Sequence, residues 1–176
     1  VNIAFANELE SICNSNDIKF PEIKKFANKH PRVNILESGI GVGGHCIPID
    51  PWFLIDSSKS NDSIIRISRK INDEKPNIIS KRIISYCKKN NIKKVSLMGL
   101  TYKKNVKDFR ESPSYKILSN LNKQVSIQTI AYDPHVTSNN EKENIKTLRL
   151  DHIDDADLYV FLVAHDECKK IYHKLK

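Results

Sequence analysis

The segment GIGVGGHCIPIDPWF (39–53) concentrates the residue types that can do chemistry. Glycines at 39, 41, 43 and 44 open backbone conformations closed to other residues and let a ligand approach closely. Cys46 follows at once, with His45 beside it and Asp50 four residues on. A thiol in an open, hydrogen-bonded or electropositive setting is a nucleophile, and glycine amides in a loop can donate to an oxyanion that develops as it attacks. The plainer reading is a glycine turn ahead of a buried cysteine, with Pro48 and Pro51 shaping the loop. The segment is no dinucleotide fingerprint, because no strand precedes it. Cys13, Cys87 and Cys168 lie in apolar surroundings and read as small core residues. With no CxxC pair among them, the cysteines point to neither a zinc site nor a disulfide framework, and no metal is expected.

These residues need elements to hold them. Residues 1–16 read as a helix with Phe5, Leu9, Ile12 and Cys13 on one face, opening without a cap as if begun upstream. A second helix starts near Pro21 and runs to about His30, and residues 31–50 form a long loop. Pro51 to Ser58 suits a short helix that Asp50 would cap. Asp62 caps a longer helical stretch that Pro76 interrupts, and helical pattern resumes through IISKRIISYCKK. The character then changes. VSLMGL (95–100) predicts a buried parallel strand, followed by a helix from Ser112 and strands over 125–133 and 158–164. That alternation predicts an α/β chain: a helical domain over 1–85 that carries the cysteine loop, then a Rossmann-like open parallel sheet domain over 86–176. The division is expected between Pro76 and Asn91.

Bulk properties narrow the classes. At 39% hydrophobic and 28% charged residues, the chain reads as globular rather than disordered. No apolar run approaches the roughly 20 residues of a membrane span. The N-terminus carries Glu8 and Glu10 with no basic region, unlike a signal peptide, so a cytoplasmic location is expected. The net charge of +8 raises nucleic-acid binding. The basic stretches at 24–29, 88–94 and 103–107 are broken by apolar or acidic residues, which argues against it. A basic surface that attracts a small anion such as a pyrophosphate accounts for the charge as well.

The string GVGGHCIPIDPWF closely resembles the active-site segment of the UDP-glucose/GDP-mannose dehydrogenase family. GLTYKKNVKDFRESPS (99–114), directly after the strand VSLMGL, resembles a second family segment, and AYDPHV (131–136) a weaker third. HPRVN (30–34) and His45 are most similar to members that act on UDP-N-acetyl-D-mannosamine. The resemblance runs along the whole chain. It implies NAD-dependent oxidation of the C6 alcohol of a UDP-N-acetylhexosamine, best UDP-N-acetyl-D-mannosamine, to the uronic acid. Cys46 would attack the C6 aldehyde to give a thiohemiacetal and then a thioester. Asp50 matches an aspartate near the hydrolytic water. His30, Arg32 and Gly43 match contacts to the nucleotide sugar, in part across a dimer interface. Tyr102 and Lys103 fall at the carboxyl end of a strand, where open α/β sheets bind ligands, and are expected to meet the substrate. Arg110 matches an arginine that reaches NAD. The first helix matches part of a long dimerising helix, so the helical domain is expected to pair two copies. Asn7 and Glu8 belong to that pattern but knit helices rather than catalyse.

By the same resemblance, the family's NAD-binding domain and its catalytic lysine fall before Val1, and a late arginine falls beyond YHKLK. The chain alone is therefore expected to be inactive, a fragment or a split product completed by a separate NAD-binding chain, and to self-associate through apolar surface on residues 1–16. The alternative class is a non-catalytic nucleotide-sugar-binding or dimerisation module.

Overall fold

The computed structural model describes residues 1–57, 63–136, 145–147 and 155–175. Two compact units emerge: Val1–Val42 with Cys46–Lys75, and Gly43–His45 with Pro76–Lys176. The division falls at Lys75–Pro76, upstream of the 85/86 division read from sequence.

The first unit is helical. It holds α1 (Asn2–Ser15), α2 (Phe20–Ala27), α3 (Cys46–Ser57) and the first half of α4 (Ile64–Lys89). Proline near the start of α2 suits a turn whose amides have no intrahelical acceptor. Ala6, Cys13 and Phe20 form its core, with Leu9, Ile23, Ile35 and Leu36 packed around them. The apolar face read on α1 is divided between the interior and the surface. Cys13 is buried, but Phe5 and Ile12 are 53% and 54% exposed, and Ala4, Ala6 and the polar Asn7 go inside instead. Asn7 finds polar partners there: its Nδ2 donates to Asn72 Oδ1 (3.0 Å), its Oδ1 accepts from the Gly39 amide (2.9 Å), and its carbonyl accepts from Lys75 Nζ (3.1 Å). Lys75, 2% exposed, also pairs with Glu10.

Two helix boundaries differ from the sequence reading. Helix α3 begins at Cys46, five positions ahead of Pro51, which lies inside it. Pro48 falls in the first turn, where a missing N–H costs little. Pro51 cannot donate to the Ile47 carbonyl one turn back, and Arg69 Nη1 takes that place at 3.4 Å. Helix α4 runs unbroken through Pro76, where the sequence reading breaks it. Asp62 lies outside the described residues; Ser63 Oγ accepts from the Arg66 amide (3.2 Å) at the start of α4.

The second unit is α/β. Among the described residues, four strands, β1 (Lys94–Met98), β2 (Gln128–Asp133), β3 (Ile145–Thr147) and β4 (Leu158–Phe161), form one parallel sheet in the order β3-β2-β1-β4. Helix α5 (Pro113–Asn122) crosses from β1 to β2, as the βαβ reading requires. Helix α6 (Asp166–Lys174), which the sequence reading does not contain, lays Cys168 and Ile171 against Met98 and Tyr132. β1 is buried along Val95–Met98 with neighbours on both sides, the environment its continuous apolar run predicts. Among the described residues, no helix is long and apolar enough to cross a membrane.

Candidate active site

Cys46 is the one exposed cysteine; Cys13, Cys87 and Cys168 are buried. Burial pushes the Cys87 thiol up, and pushes that of Cys168, beside the Asp133 and Glu167 charges, up to about 12. The glycine turn ahead of a buried cysteine is thereby set aside. Cys46 opens α3, so it stands where the first-turn N–H groups have no intrahelical acceptor and the helix dipole favours negative charge. Asp50 is the fifth residue of the same helix rather than a cap ahead of Pro51. Four residues apart on a helix, Cys46 and Asp50 share a face, and both are exposed.

The turn that delivers Cys46 belongs with the second unit. Gly44 donates its amide to the Arg110 carbonyl at 2.9 Å. A β-carbon on Gly43 would lie 2.6 Å from Tyr102 Cβ and 2.7 Å from the Glu111 carbonyl oxygen. Gly44 has φ +92°, and the Tyr102 ring lies against it. Gly43, Tyr102 and the Arg110 backbone, singled out separately in the sequence, thus form one packed cluster.

Tyr102 and Lys103 lie on the loop that leaves the carboxyl end of β1. Lys103 is exposed, and its carbonyl accepts from Thr101 Oγ1 (3.0 Å). On the same loop Arg110 grips Asp108: Nε lies 3.0 and 3.1 Å from the two carboxylate oxygens and Nη2 lies 2.6 Å from one. That grip, with the Arg110 amide and the His45 charge adding to it, lowers the Asp108 carboxyl to about 2. His30 and Arg32 occupy a separate exposed turn after α2, where the Arg32 amide meets His30 Nδ1 at 3.3 Å.

Sequence reasoning missed a buried polar cluster at the carboxyl ends of β1, β2 and β4. Asp133 Oδ2 accepts from the amides of Leu100 (2.6 Å) and Thr101 (3.2 Å), and Oδ1 from that of His135 (2.8 Å). His165 Nε2 lies 3.2 Å from Asp133 Oδ2 and 2.9 Å from Thr101 Oγ1, while Nδ1 accepts from the Asn105 amide at 3.0 Å. Burial drives the Asp133 carboxyl up, but the bonds from His165, Leu100 and His135 outweigh it and hold it below the usual range. The only sequence signal was the AYDPHV match that ends on this aspartate's turn.

Residues 1–74 match the central domain of the UDP-glucose/GDP-mannose dehydrogenase family, and residues 96–176 match its UDP binding domain. The chain is 45% identical to the UDP-N-acetyl-D-mannosamine dehydrogenase of Methanococcus vannielii, over 96% of this chain and 39% of that protein. It is 40% identical to the enzyme of the same name from Campylobacter jejuni, over 95% of this chain and 42% of that one. The solved UDP-N-acetyl-mannosamine dehydrogenase of S. aureus superposes with a TM-score of 0.82 at 40% identity, covering 94% of this chain and 39% of that one. The chain therefore spans about two fifths of the length of these relatives.

Proposed function

We propose, from the premise that the chain belongs to the UDP-glucose/GDP-mannose dehydrogenase family, that it is the substrate-holding and nucleophile-bearing part of a nucleotide-sugar 6-dehydrogenase. The substrate is a UDP-N-acetylhexosamine, best UDP-N-acetyl-D-mannosamine, the sugar in the names of the relatives at 40–45% identity. The carrying observation is the exposed Cys46 thiol at the open end of α3, delivered by a glycine turn with no room for side chains.

In this reading Cys46 Sγ bonds to C6 of the sugar aldehyde. The carbonyl oxygen becomes an oxyanion that first-turn amides of α3 can meet, and it then takes up a proton. The thioester left after oxidation is cleaved by water, which releases the carboxylate and returns the thiol. Asp50, one turn along α3, would orient or deprotonate that water. Tyr102 and Lys103 at the end of β1 serve the nucleotide sugar, Lys103 as a point charge for the pyrophosphate. His30 and Arg32 contact the same ligand from their own turn, and Gly43 does so through its backbone.

NAD, when bound, accepts the hydrides. Arg110 suits a phosphate of that cofactor, but the described residues do not form a dinucleotide seat. Between β1 and α5 the sequence has a single glycine, Gly99, where a dinucleotide turn needs several. Either a further part of the same protein or a separate chain would hold NAD. The apolar stripe of Val1, Phe5 and Ile12, all exposed on or beside α1, supports pairing of two copies.

Timed alkylation with iodoacetamide, followed by mass spectrometry, tests the reading. Cys46 is expected to react first, and saturating UDP-N-acetyl-D-mannosamine is expected to protect it. Equal labelling of Cys46 and a buried cysteine, or labelling that ignores the nucleotide sugar, would overturn it.

A further inference from the structure

The buried pair Asp133–His165 lies outside the chemistry just described, yet apart from the His135 amide on Asp133 Oδ1 its side-chain hydrogen bonds to the rest of the chain go to one loop. Asp133 and His165 are both fully buried. Asp133 Oδ2 takes the first two amides after Gly99, and Thr101 Oγ1 meets His165 Nε2 while donating to the Lys103 carbonyl. His165 Nδ1 takes the amide of Asn105, so the proton of the neutral ring sits on Nε2, facing Thr101 and Asp133. Asn105 itself has φ +56° and is clamped from outside by Asp166, its Nδ2 lying 2.6 Å from Asp166 Oδ2. A second tie, Lys104 Nζ to Asp166 Oδ1 at 2.7 Å, holds the preceding residue.

Residues 100–105 therefore wrap around one imidazole and one carboxylate. The loop held this way carries Tyr102, and Tyr102 is the wall against which Gly43 and Gly44 pack. A buried carboxylate with an imidazole partner is a poor device for stability alone, since apolar residues of similar volume commonly do as well or better. It is a good device for fixing loop geometry, because it specifies amide positions that apolar packing leaves loose. Its place at three parallel strand ends is where open α/β sheets put their ligands.

We infer that Asp133 and His165 are positioning residues that lock the 100–105 loop, and through Tyr102 the Gly43–Gly44 turn, in the geometry that receives the UDP moiety. This rests on the proposed function for the ligand, while the locking of the loop stands on the hydrogen bonds alone.

The test uses the 176-residue chain with UDP as the probe, in two arms. Calorimetry measures UDP binding by wild type, His165→Leu, His165→Asn and Ile171→Val; the last is a core change matched for loss of Tm. Amide hydrogen exchange reads Leu100, Thr101, Asn105 and Gly44 in the same proteins. His165→Leu is expected to weaken UDP binding by about tenfold or more and to speed exchange at Thr101, Asn105 and Gly44. His165→Asn, which keeps an acceptor near the Nδ1 position, is expected to retain Asn105 protection and to recover part of the affinity. Ile171→Val is expected to leave affinity within about twofold at temperatures where it is folded. The inference is overturned if folded His165→Leu binds UDP like wild type, or if Ile171→Val weakens binding as much. Failure of the wild-type chain to bind UDP would sink the proposed function instead; unchanged exchange in His165→Leu would then sink the locking as well.

Discussion

Gly43 shows how little freedom the segment ahead of Cys46 has. Any side chain there meets backbone as well as the Tyr102 side chain, and the Glu111 carbonyl cannot swing away as a flexible side chain would. Gly43→Ala is expected to destabilise the chain by roughly 1–3 kcal/mol, the usual range for overpacking a filled site. Gly44→Ala is expected to add backbone strain of about 1–3 kcal/mol from its φ of +92°. Urea denaturation of both variants checks this, and wild-type midpoints would mean the turn yields where the structure has it tight. At this scale the sequence was legible where residue type alone carries the meaning. A glycine cluster before a cysteine announces a close approach, and three cysteines in apolar settings announce a core. It was not legible for Asp50, whose position relative to the start of α3 decides between capping and facing Cys46. Nor did it reveal His165, whose partners Thr101, Asn105 and Asp133 are all distant in the chain.

Elements were read well where burial follows a local pattern and poorly where a distant side chain repairs a local fault. β1 was legible because a central parallel strand is apolar on both faces. The start of α3 was not, because the Ile47 carbonyl that Pro51 leaves without a donor is met by Arg69 from α4. Phe5 and Ile12 share a face with Cys13 by spacing but stay exposed, because the partners of α1 include polar Asn72 and Lys75, which draw Asn7 inward. The Lys75–Glu10 pair tests that account. Lys75→Met removes the buried cation beside Glu10 and is expected to lose about 3 kcal/mol, while adding Glu10→Gln should cost less than the sum of the two single losses. A strictly additive double-mutant cycle would show that the pair is not what ties α4 to α1.

The strand ends make a second prediction at this scale, in acid. Asp133 is held below its ordinary pKa in the folded chain, so the unfolded chain takes up its proton first as pH falls. Its contribution to stability is complete above the ordinary carboxylate value of about 3.9 and declines below it until the native carboxyl also protonates. Asp133→Asn should therefore lower Tm near neutral pH and flatten its fall below about pH 4. Asp108, lowered to about 2, obeys the same sign, but its pairing with Arg110 is solvent-screened and should matter much less. Parallel acid limbs for wild type and Asp133→Asn would mean that the buried carboxylate is not differentially ionised.

For the whole molecule, the excess of 29 lysines and arginines over 21 acidic residues sets the long-range field. That field admits two anionic partners, a polymer or a small phosphate ester, and the sequence could not choose between them beyond noting how its lysines are scattered. Lys103 and Arg110 share the loop that leaves the end of β1, an arrangement that agrees with the proposed small phosphate ester. A single small site of this kind should bind UDP with an affinity that falls only a few-fold between about 50 and 300 mM salt. A nucleic-acid surface that neutralises many phosphates would lose orders of magnitude over a similar range. UDP should resist displacement by a single-stranded oligonucleotide, and Lys103→Gln should reduce both its affinity and its salt dependence. Under the same conditions, these 176 residues with NAD and UDP-N-acetyl-D-mannosamine are expected to form no NADH, because Arg110 alone does not seat the cofactor. A Cys46-dependent NADH signal would show that this portion of the protein holds NAD after all. Steep salt dependence with oligonucleotide competition would transfer the basic surface to a nucleic acid and overturn the proposed nucleotide-sugar site.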